Sequence, residues 1–438
     1  MPEAVLVIDR IKSLLNDDSF RADHRRSPNF FTRNRILTFY MMILLILRKS
    51  LKSVQLVLNE FFDKMDTDLI TVTASAFTQA RNKMLHTVFV ELNRKAVVET
   101  FYENDGYEKF RGFRLLGLDG SKVILPNEHE IRRFFGSVRI ANQHESTRGE
   151  YPIGIASVLY DLLNNIAIDA LLGHAKSSET ELATEHLLSY QRADDLLIFD
   201  RNYPSYLFLA FLIQNGIGFV GRCSRSSFRE AREMFRKKNV RSRIATLEPH
   251  HTKKKQIMEL GLPLKIRVRF VSVLLETGET EVLVTSLCDE SLYVPEDFGE
   301  LYNIRWNVET FYGTIKGRLC LENFTGKTVE SVRQDFYSAV FISGLESVLI
   351  GKAREKLAVK NNKNKYHQTV NKAVSFNAIK NHIPDLFHKK QETEILLDKL
   401  TRLFMTGAVC KRKKRKFPRK KRPRASLNYH KRLKKIVF

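Results

Sequence analysis

The chain has 438 residues, of which 43% are apolar and 28% charged, so it can bury a sizeable core and is not a disordered protein. Four cysteines are scattered singly, which excludes a disulfide scaffold and a zinc ribbon. The net charge is +24; residues 411–438 hold 15 Lys and Arg and no acid, so the preceding residues are basic as well. A polyanion such as nucleic acid is therefore an expected partner.

The first part of the chain, residues 1–105, has the periodicity of a helical domain. Its longest apolar run, residues 36–47, is 12 residues long, whereas a membrane span needs about 20. We interpret the run as a buried core helix, and we expect a cytoplasmic, nucleoid-associated protein with no membrane partner. A further helix is predicted to begin near Thr73 or Ser75, and its Arg81 faces either DNA or solvent.

From residue 113 the pattern becomes that of an α/β sheet. RLLGLD (114–119) and DLLIFD (195–200) are short apolar segments, and each ends in an acidic residue. Two strands joined by a turn are predicted between them, over 153–161 and 165–173, followed by a helix over 177–191. Because the carboxyl ends of parallel strands meet at one sheet edge, Asp119 and Asp200 are expected to lie together there.

Residues 223–296 interrupt this alternation with a basic segment of mainly β character. LKIRVRF (264–270) alternates strictly, which places Lys265, Arg267 and Arg269 on one strand face. The next residues predict an antiparallel hairpin that turns at Thr277-Gly278. Three cations on one face are costly without a counter-charge, so this face is expected to meet either solvent or a phosphate backbone.

The segment LYNIRWNVETFYGTIKGRL (301–319) is predicted to be one amphipathic helix. At 100° per residue, Tyr302, Arg305, Glu309 and Lys316 form a stripe about 60° wide. The apolar residues of the segment lie on the opposite, core-facing side. A structural ion-pair stripe, with Arg305 and Glu309 four residues apart, is the alternative explanation.

Together the three acids Asp119, Asp200 and Glu309 predict a metal site. Converging carboxylates repel one another unless a cation lies between them. Hard divalent cations prefer oxygen ligands, so we expect Mg²⁺ or Mn²⁺, as two ions that support in-line phosphoryl transfer. The twelve histidines lack zinc-ligand spacing, and no phosphate-binding Gly-x4-Gly-Lys-Ser/Thr loop occurs.

On these residues the sequence resembles the DDE transposases of bacterial insertion sequences, specifically the insertion-sequence-four family. The signature Tyr-x2-Arg-x3-Glu-x6-Lys of that family's last catalytic helix is present at residues 302–316. The first family acid has the context Asp-Gly-Ser/Thr, as at 119–121. The second has the context Asp-Arg-Gly-Tyr, as at 200–203, although Asn202 replaces the Gly. We interpret Asn202 as a residue that tolerates a positive φ.

The resemblance covers about residues 110–330, and it implies a ribonuclease-H-like catalytic core that is interrupted by a β insertion and preceded by a helical domain. The three acids would be catalytic and would hold the metal. The residues expected to contact DNA lie on the signature helix and the basic strand: Tyr302, Arg305, Lys316, Arg318, Lys265, Arg267 and Arg269. The expected divisions are a helical, DNA-end-binding domain (1–105), the first part of the core (106–222), the insertion (223–296), the last catalytic helix (297–345), a helical region that could mediate dimerisation (346–410) and a basic tail (411–438).

The function implied by the resemblance is that of a transposase. Such an enzyme would bind terminal inverted repeats as a homodimer, cleave the DNA at the element ends and join the 3′-hydroxyl to target DNA. Two alternatives remain open: a ribonuclease-H-like nuclease or resolvase that cuts without joining, and an inactive DNA-binding relative.

Overall fold

The chain folds around a mixed β-sheet that is packed against helices. The structure, a computed structural model, describes residues 3–411 except for 34, 66–71, 104, 141–148, 191, 238–239, 276–277, 363–364 and 389–391. Thr277 of the predicted turn and all of the basic tail except residue 411 lie outside the described residues.

The described residues form the following elements. The strands are β1 (Arg114–Ile124), β2 (Ser137–Ile140), β3 (Gly149–Asp161), β4 (Ile166–His174), β5 (Asp195–Phe199), β6 (Gly218–Arg222), β7 (Ser242–Leu247), β8 (Ile266–Leu274), β9 (Thr280–Thr285), β10 (His367–Thr369) and β11 (Val409–Lys411). The helices are α1 (Glu3–Asn16), α2 (Asp18–Asp23), α3 (Phe39–Leu47), α4 (Val54–Lys64), α5 (Ala74–Arg81), α6 (Thr87–Glu91), α7 (Thr100–Tyr102), α8 (His129–Phe135), α9 (Glu179–Ser189), α10 (Tyr206–Gln214), α11 (Arg229–Arg236), α12 (Lys254–Glu259), α13 (Asp297–Asn303), α14 (Trp306–Gly317), α15 (Val329–Leu349), α16 (Gly351–Asn361), α17 (Lys372–Asn381), α18 (Ile383–Phe387) and α19 (Thr393–Thr406). A π-helical segment, Leu92–Glu99, joins α6 to α7, and a 3₁₀ turn, His251–Lys253, precedes α12.

The central sheet has the strand order β2-β3-β1-β5-β6-β9-β8-β7. Strand β4 lies outside this path and pairs with residues 154–161 of β3, beyond the residues that pair with β2. β3 is antiparallel to both β1 and β4, while β5 and β6 run parallel to β1 on its other side. Helix α9 connects β4 to β5, and α10 connects β5 to β6. Three antiparallel strands followed by two strands parallel to the first form the ribonuclease-H-like arrangement, so the predicted α/β class is confirmed.

The inserted strands extend this same sheet. β9 is antiparallel to β6 through the pair Gly221 and Val284, and β8 and β7 follow as further antiparallel neighbours. β8 and β9 form the predicted hairpin, although the insertion also contains α11 and α12. The insertion is therefore continuous with the core sheet through a full hydrogen-bonded ladder.

Helix α15 connects the N-terminal helices to the sheet. It begins at a Thr328 capping box, and 18 of its 21 residues are buried, as expected for a helix that is covered on all sides. It contacts α3, α6 and the π-helical segment as well as β4. Among the described helices, none alone is long and apolar enough to cross a membrane; α15 and α16 meet that criterion only as a pair bent by 47°.

A buried charge cluster locks α5 against α15. The guanidinium of Arg81 lies 2.9 Å from the Asp335 carboxylate, and the Lys49 ammonium lies 3.9 Å from it. All three side chains are buried. Thr73 caps α5 as predicted, but Arg81 points into the protein, so the two orientations proposed for it, towards DNA or solvent, were wrong.

Candidate active site

The pairing of β1 with β5 brings the first two acids together. The last pair of this parallel ladder is Leu118 with Phe199, so Asp119 and Asp200 are the next residues on the two strands. Neighbouring strands lie about 4.8 Å apart, and residues at one level point to the same face. β1 itself continues to Ile124, so Asp119 is not at a strand end as predicted. Beyond Asp119 only β3 pairs with β1, which leaves the other side of β1 open among the described strands.

The third acid lies on α14, directly after a break in the predicted helix. Residues 301–319 form two helices, α13 and α14, with Ile304 and Arg305 between them, and the expectation of one continuous helix was wrong. Both residues keep right-handed helical dihedral angles. The turn is tightened by i to i−3 bonds, including the one from the Arg305 N–H to the Tyr302 carbonyl, 3.1 Å.

A glycine in β1 allows α14 to approach the sheet. A β-carbon on Gly117 would lie 3.4 Å from the β-carbon of Val308 and 2.7 Å from Leu162. Gly117 and Asp119 point to the same face because they are two residues apart on one strand. The Tyr312 hydroxyl, 3.0 Å from the carbonyl oxygens of Asp119 and Ala156, anchors the next turn of α14. The helix thereby carries Glu309 towards the two aspartates.

The charges of the three acids affect one another. Burial raises the pKa of Asp119 to about 7; the charge of Arg305 lowers it, while those of Glu309 and Asp200 add to the increase. The Arg305 guanidinium also lies 2.7 Å from a Glu309 carboxylate oxygen. The acids thus form one cluster with a single arginine at its side.

The donor set of this cluster fits a hard divalent cation. Its ligands would be carboxylate oxygens, and two buried hydroxyls in this region, those of Tyr203 and Tyr302, lack hydrogen-bond partners among the described residues. Within the same residues, no three Asp, Glu, His or Cys side chains are already arranged to hold a metal ion. A cation held between the carboxylates would offset their mutual repulsion.

The other predicted residues of the signature helix lie at different depths. Tyr302 and Arg305 are buried, and the Arg305 guanidinium stacks 5.6 Å from the Tyr302 ring and 5.3 Å from the Trp306 ring. The Lys316 ammonium bonds the Ser121 hydroxyl at 2.8 Å, which places it beside Asp119. Arg318, at the end of α14, is exposed.

Two of the three cations predicted for the basic strand face outward; Lys265 directly precedes β8, and Arg267 and Arg269 lie on it. Lys265 and Arg267 are exposed, whereas Arg269 is fully buried, so its predicted place on a DNA-facing strip was wrong. Its guanidinium bonds the Ser242 hydroxyl at 2.8 Å and the Tyr293 carbonyl at 2.6 Å. The Phe298 ring of α13, 5.4 Å from the guanidinium, covers this part of the strand.

The sequence analysis missed a fourth carboxylate, Glu179, at the start of α9. A β-carbon on Gly120 would lie 2.8 Å from the Glu179 carboxylate, so this group sits against the residue that follows Asp119. Asn202 hydrogen-bonds Glu179 through its side chain and donates its backbone N–H to Asp200, 2.7 Å away. Asn202 does not have a positive φ, so the interpretation of this residue from its sequence context was wrong.

Comparisons with known proteins agree with this geometry. Residues 132–345 match the transposase DDE domain family. The putative transposase InsZ of Escherichia coli (strain K12) is 28% identical over 142 residues, and the match covers 32% of this chain but only 46% of that protein. The transposase InsG for insertion sequence element IS4, from the same organism, is 24% identical over 333 residues, 74% of this chain and 72% of that protein.

Among solved structures, a piggyBac transposase synaptic complex with hairpin DNA aligns over 92% of this chain and 82% of that one, with a TM-score of 0.42 and 11% identity. The matched family domain contains Asp200 and Glu309, and it begins shortly after Asp119. The family match and the two sequence relatives support a DDE transposase of the insertion-sequence-four type.

Proposed function

We propose that this chain binds the terminal inverted repeats of its element, cleaves the DNA at the element ends and joins the freed 3′-hydroxyl to target DNA. The observation that supports this most directly is the meeting of Asp119, Asp200 and Glu309 beside the open part of β1. These acids would hold two Mg²⁺ or Mn²⁺ ions, in keeping with a family of metal-dependent phosphoryl-transfer enzymes.

The chain's own residues would set up the chemistry by positioning. Bound divalent ions would activate the attacking oxygen and stabilise the leaving oxygen. Asp119 and Asp200 stand on paired strands, so their spacing is rigid, and Arg305 restrains Glu309 from the side. A water would attack the phosphorus and release the 3′-hydroxyl; that hydroxyl would then attack a target phosphorus and release a target 3′-oxygen. Each step exchanges one P–O bond for another, so no external energy source is required.

DNA would reach this site along exposed cations. Lys316, beside Asp119, and Arg318 at the end of α14 would contact phosphates next to the scissile bond. Lys265 and Arg267 would extend the track, although Lys265 also pairs with Glu248 at 3.1 Å. Buried Arg305 and Tyr302 would act mainly on their protein neighbours.

A groove on the N-terminal helices supports a role in binding the element ends. Its volume is about 990 Å³, and its wall includes Arg33, Arg35 and Lys83 together with the polar side chains of Thr73 and Gln79. No acidic side chain is among the described residues of that wall. We extend the proposal to a homodimer, because a synaptic complex must hold two ends together.

The decisive experiment compares Glu309→Gln with the wild type on a labelled DNA that carries the flanked terminal repeat. We expect the rate of cleavage in Mg²⁺ to fall by at least about 10³-fold, because the metal ions that would stabilise the transition state lose a carboxylate ligand. Binding to the repeat, measured by a mobility shift, should change by less than about twofold, since the exchange leaves the basic surface intact.

Glu300→Gln is the matched control, because Glu300 is exposed on the adjoining helix α13. It should cleave and bind like the wild type. Efficient cleavage by Glu309→Gln would remove that residue from the site. Release of cut ends without any joined product would favour a nuclease over a transposase.

A further inference from the structure

The start of α9 lies at the same sheet edge as the two aspartates. β4 is antiparallel to β3, which is antiparallel to β1, so β4 runs parallel to β1 and ends at that edge with His174. Helix α9 begins only five residues later, at Glu179, after the Ser178 cap. The strand directions thus bring a carboxylate from a third part of the chain to the same end of the sheet.

Gly120 makes room for this carboxylate. A β-carbon there would lie 2.8 Å from Glu179 Oε1 and 3.0 Å from its Cδ, closer than real β-carbons come to other atoms. Gly120 directly follows Asp119 in β1. The absence of a side chain at this position therefore lets Glu179 lie against β1 at the residue next to Asp119.

A buried hydroxyl in this region, that of Tyr203, has no hydrogen-bond partner among the described residues. The whole side chain of Tyr203 is buried. Burial raises the pKa of Tyr203 well above its usual value, and the charges of Glu179, Asp119 and Asp200 raise it further. The hydroxyl is thus available to a ligand, such as an ordered water.

Contacts with the sheet hold α9 in position. His186, two turns along the helix, is fully buried; its Nδ1 lies 2.6 Å from the Asp169 carboxylate and its Nε2 3.0 Å from the Ser157 hydroxyl. These contacts attach α9 to both β4 and β3. The carboxylate of Glu179 is therefore presented by a rigid element.

An acid in the first turn of a helix often serves only to stabilise the helix dipole. Glu181 in the same turn has that kind of role, since its side chain closes the capping box with Ser178. Glu179 takes no part in the capping box. It contacts Gly120 and Asn202 instead, and both belong to the segments that carry the two aspartates.

We propose that Glu179 is a fourth acidic ligand of the metal site, which holds a divalent cation beside Asp200 directly or through one of its waters. This inference rests on the proposed function. Four carboxylates carry up to four negative charges, which balance two divalent cations, whereas three leave one positive charge uncompensated. Glu179 and Glu309 would approach the aspartates from separate helices, α9 and α14.

The test measures Mn²⁺ binding to the full chain by calorimetry, without DNA. Glu179→Gln should weaken binding at one site by about tenfold or abolish it, because an oxygen ligand of the ion is lost. Glu181→Gln should leave Mn²⁺ binding unchanged, because Gln can also close the capping box and this side chain does not face the acids. In the cleavage assay Glu179→Gln should need about tenfold more Mg²⁺ for half-maximal rate.

A second variant protects the test against misfolding. Gly120→Ala keeps every charge but pushes the Glu179 carboxylate away, so it should weaken Mn²⁺ binding in the same direction while circular dichroism stays native. Suppose that a folded Glu179→Gln variant binds Mn²⁺ like the wild type and that Glu309→Gln has lost cleavage. This inference would then be overturned, while the proposed function would stand. A wild-type chain that neither binds Mn²⁺ nor cleaves its ends would instead overturn the proposed function.

Discussion

Arg305 is a buried residue whose contacts are with its protein neighbours, including Glu309. Its side chain is only 4% exposed, and its guanidinium lies between the rings of Tyr302 and Trp306 while bonding Glu309. A guanidinium has a large desolvation cost in such a place unless a carboxylate accompanies it. We therefore assign Arg305 to the positioning of Glu309.

This assignment predicts the effect of changing Arg305. Arg305→Gln should slow end cleavage by about 10²-fold, because Glu309 loses its charge-assisted hydrogen bond and its fixed orientation. Arg305→Lys should recover part of the rate, since it keeps the charge but not the forked geometry. Single-turnover cleavage rates at saturating Mg²⁺ measure both effects. Equal rates for all three proteins would show that Arg305 does not position Glu309.

Among the secondary-structure elements, α5 and α15 are held together by charges rather than by apolar contact alone. Burial by itself would raise the pKa of Asp335, but Arg81 and Lys49 outweigh that effect and hold the pKa below its usual value. The Thr325 N–H also bonds the same carboxylate at 2.7 Å. This cluster joins the predicted DNA-end-binding helices to the helix that packs on the sheet.

Asp335→Asn should therefore destabilise the protein by about 3–5 kcal/mol, because two buried cations lose their counter-charge. Since the folded pKa of Asp335 is lowered, its charge contributes stability above the unfolded pKa of about 3.9 and loses that contribution as the pH falls through the folded value. The difference between wild type and variant in urea unfolding should accordingly shrink below about pH 4.

Asp398→Asn supplies the matched control for that experiment. Asp398 is exposed and pairs with Lys352 at 2.7 Å, so its loss should leave the free energy of unfolding nearly unchanged. If both variants lose the same stability, the buried cluster is not what holds α5 to α15.

For the molecule as a whole, the distribution of charge would govern how the chain binds DNA under the proposed function. Residues 412–438, which follow β11 and lie outside the described residues, contain 14 Lys and Arg and no acid. Deleting them should weaken binding to the terminal repeat and flatten the dependence of log K on log salt, by about 0.9 for each phosphate that the tail neutralises. Fluorescence anisotropy at several salt concentrations measures the slope.

A full-length chain with those 14 residues changed to Gln separates charge from length and should behave like the deletion. An unchanged slope in both proteins would show that the tail makes no phosphate contacts. Cleavage of a pre-bound end should persist in both, because Asp119, Asp200 and Glu309 all lie in the preceding part of the chain.

Much of the core was predictable because its signals are local. Apolar runs, turn residues and caps identified β3, β4 and α9, and the acids that follow short apolar segments marked the sheet edge where β1 and β5 place them. The extent of β1 was underestimated, because Asp119 is followed by the small and polar residues Gly120, Ser121 and Lys122, which nevertheless pair with β3. A strand partner far along the chain made that segment a strand.

Local sequence patterns were enough to predict three separated acids, a basic surface and tail, and alternating strands and helices. Long-range packing was needed to determine which side chains face inward and which meet. It buried Arg81 against α15 and Arg269 beneath Phe298, although their local patterns favoured exposure. It also brought Glu179 to Gly120, because strand direction and register are set by hydrogen bonds between segments far apart in the chain.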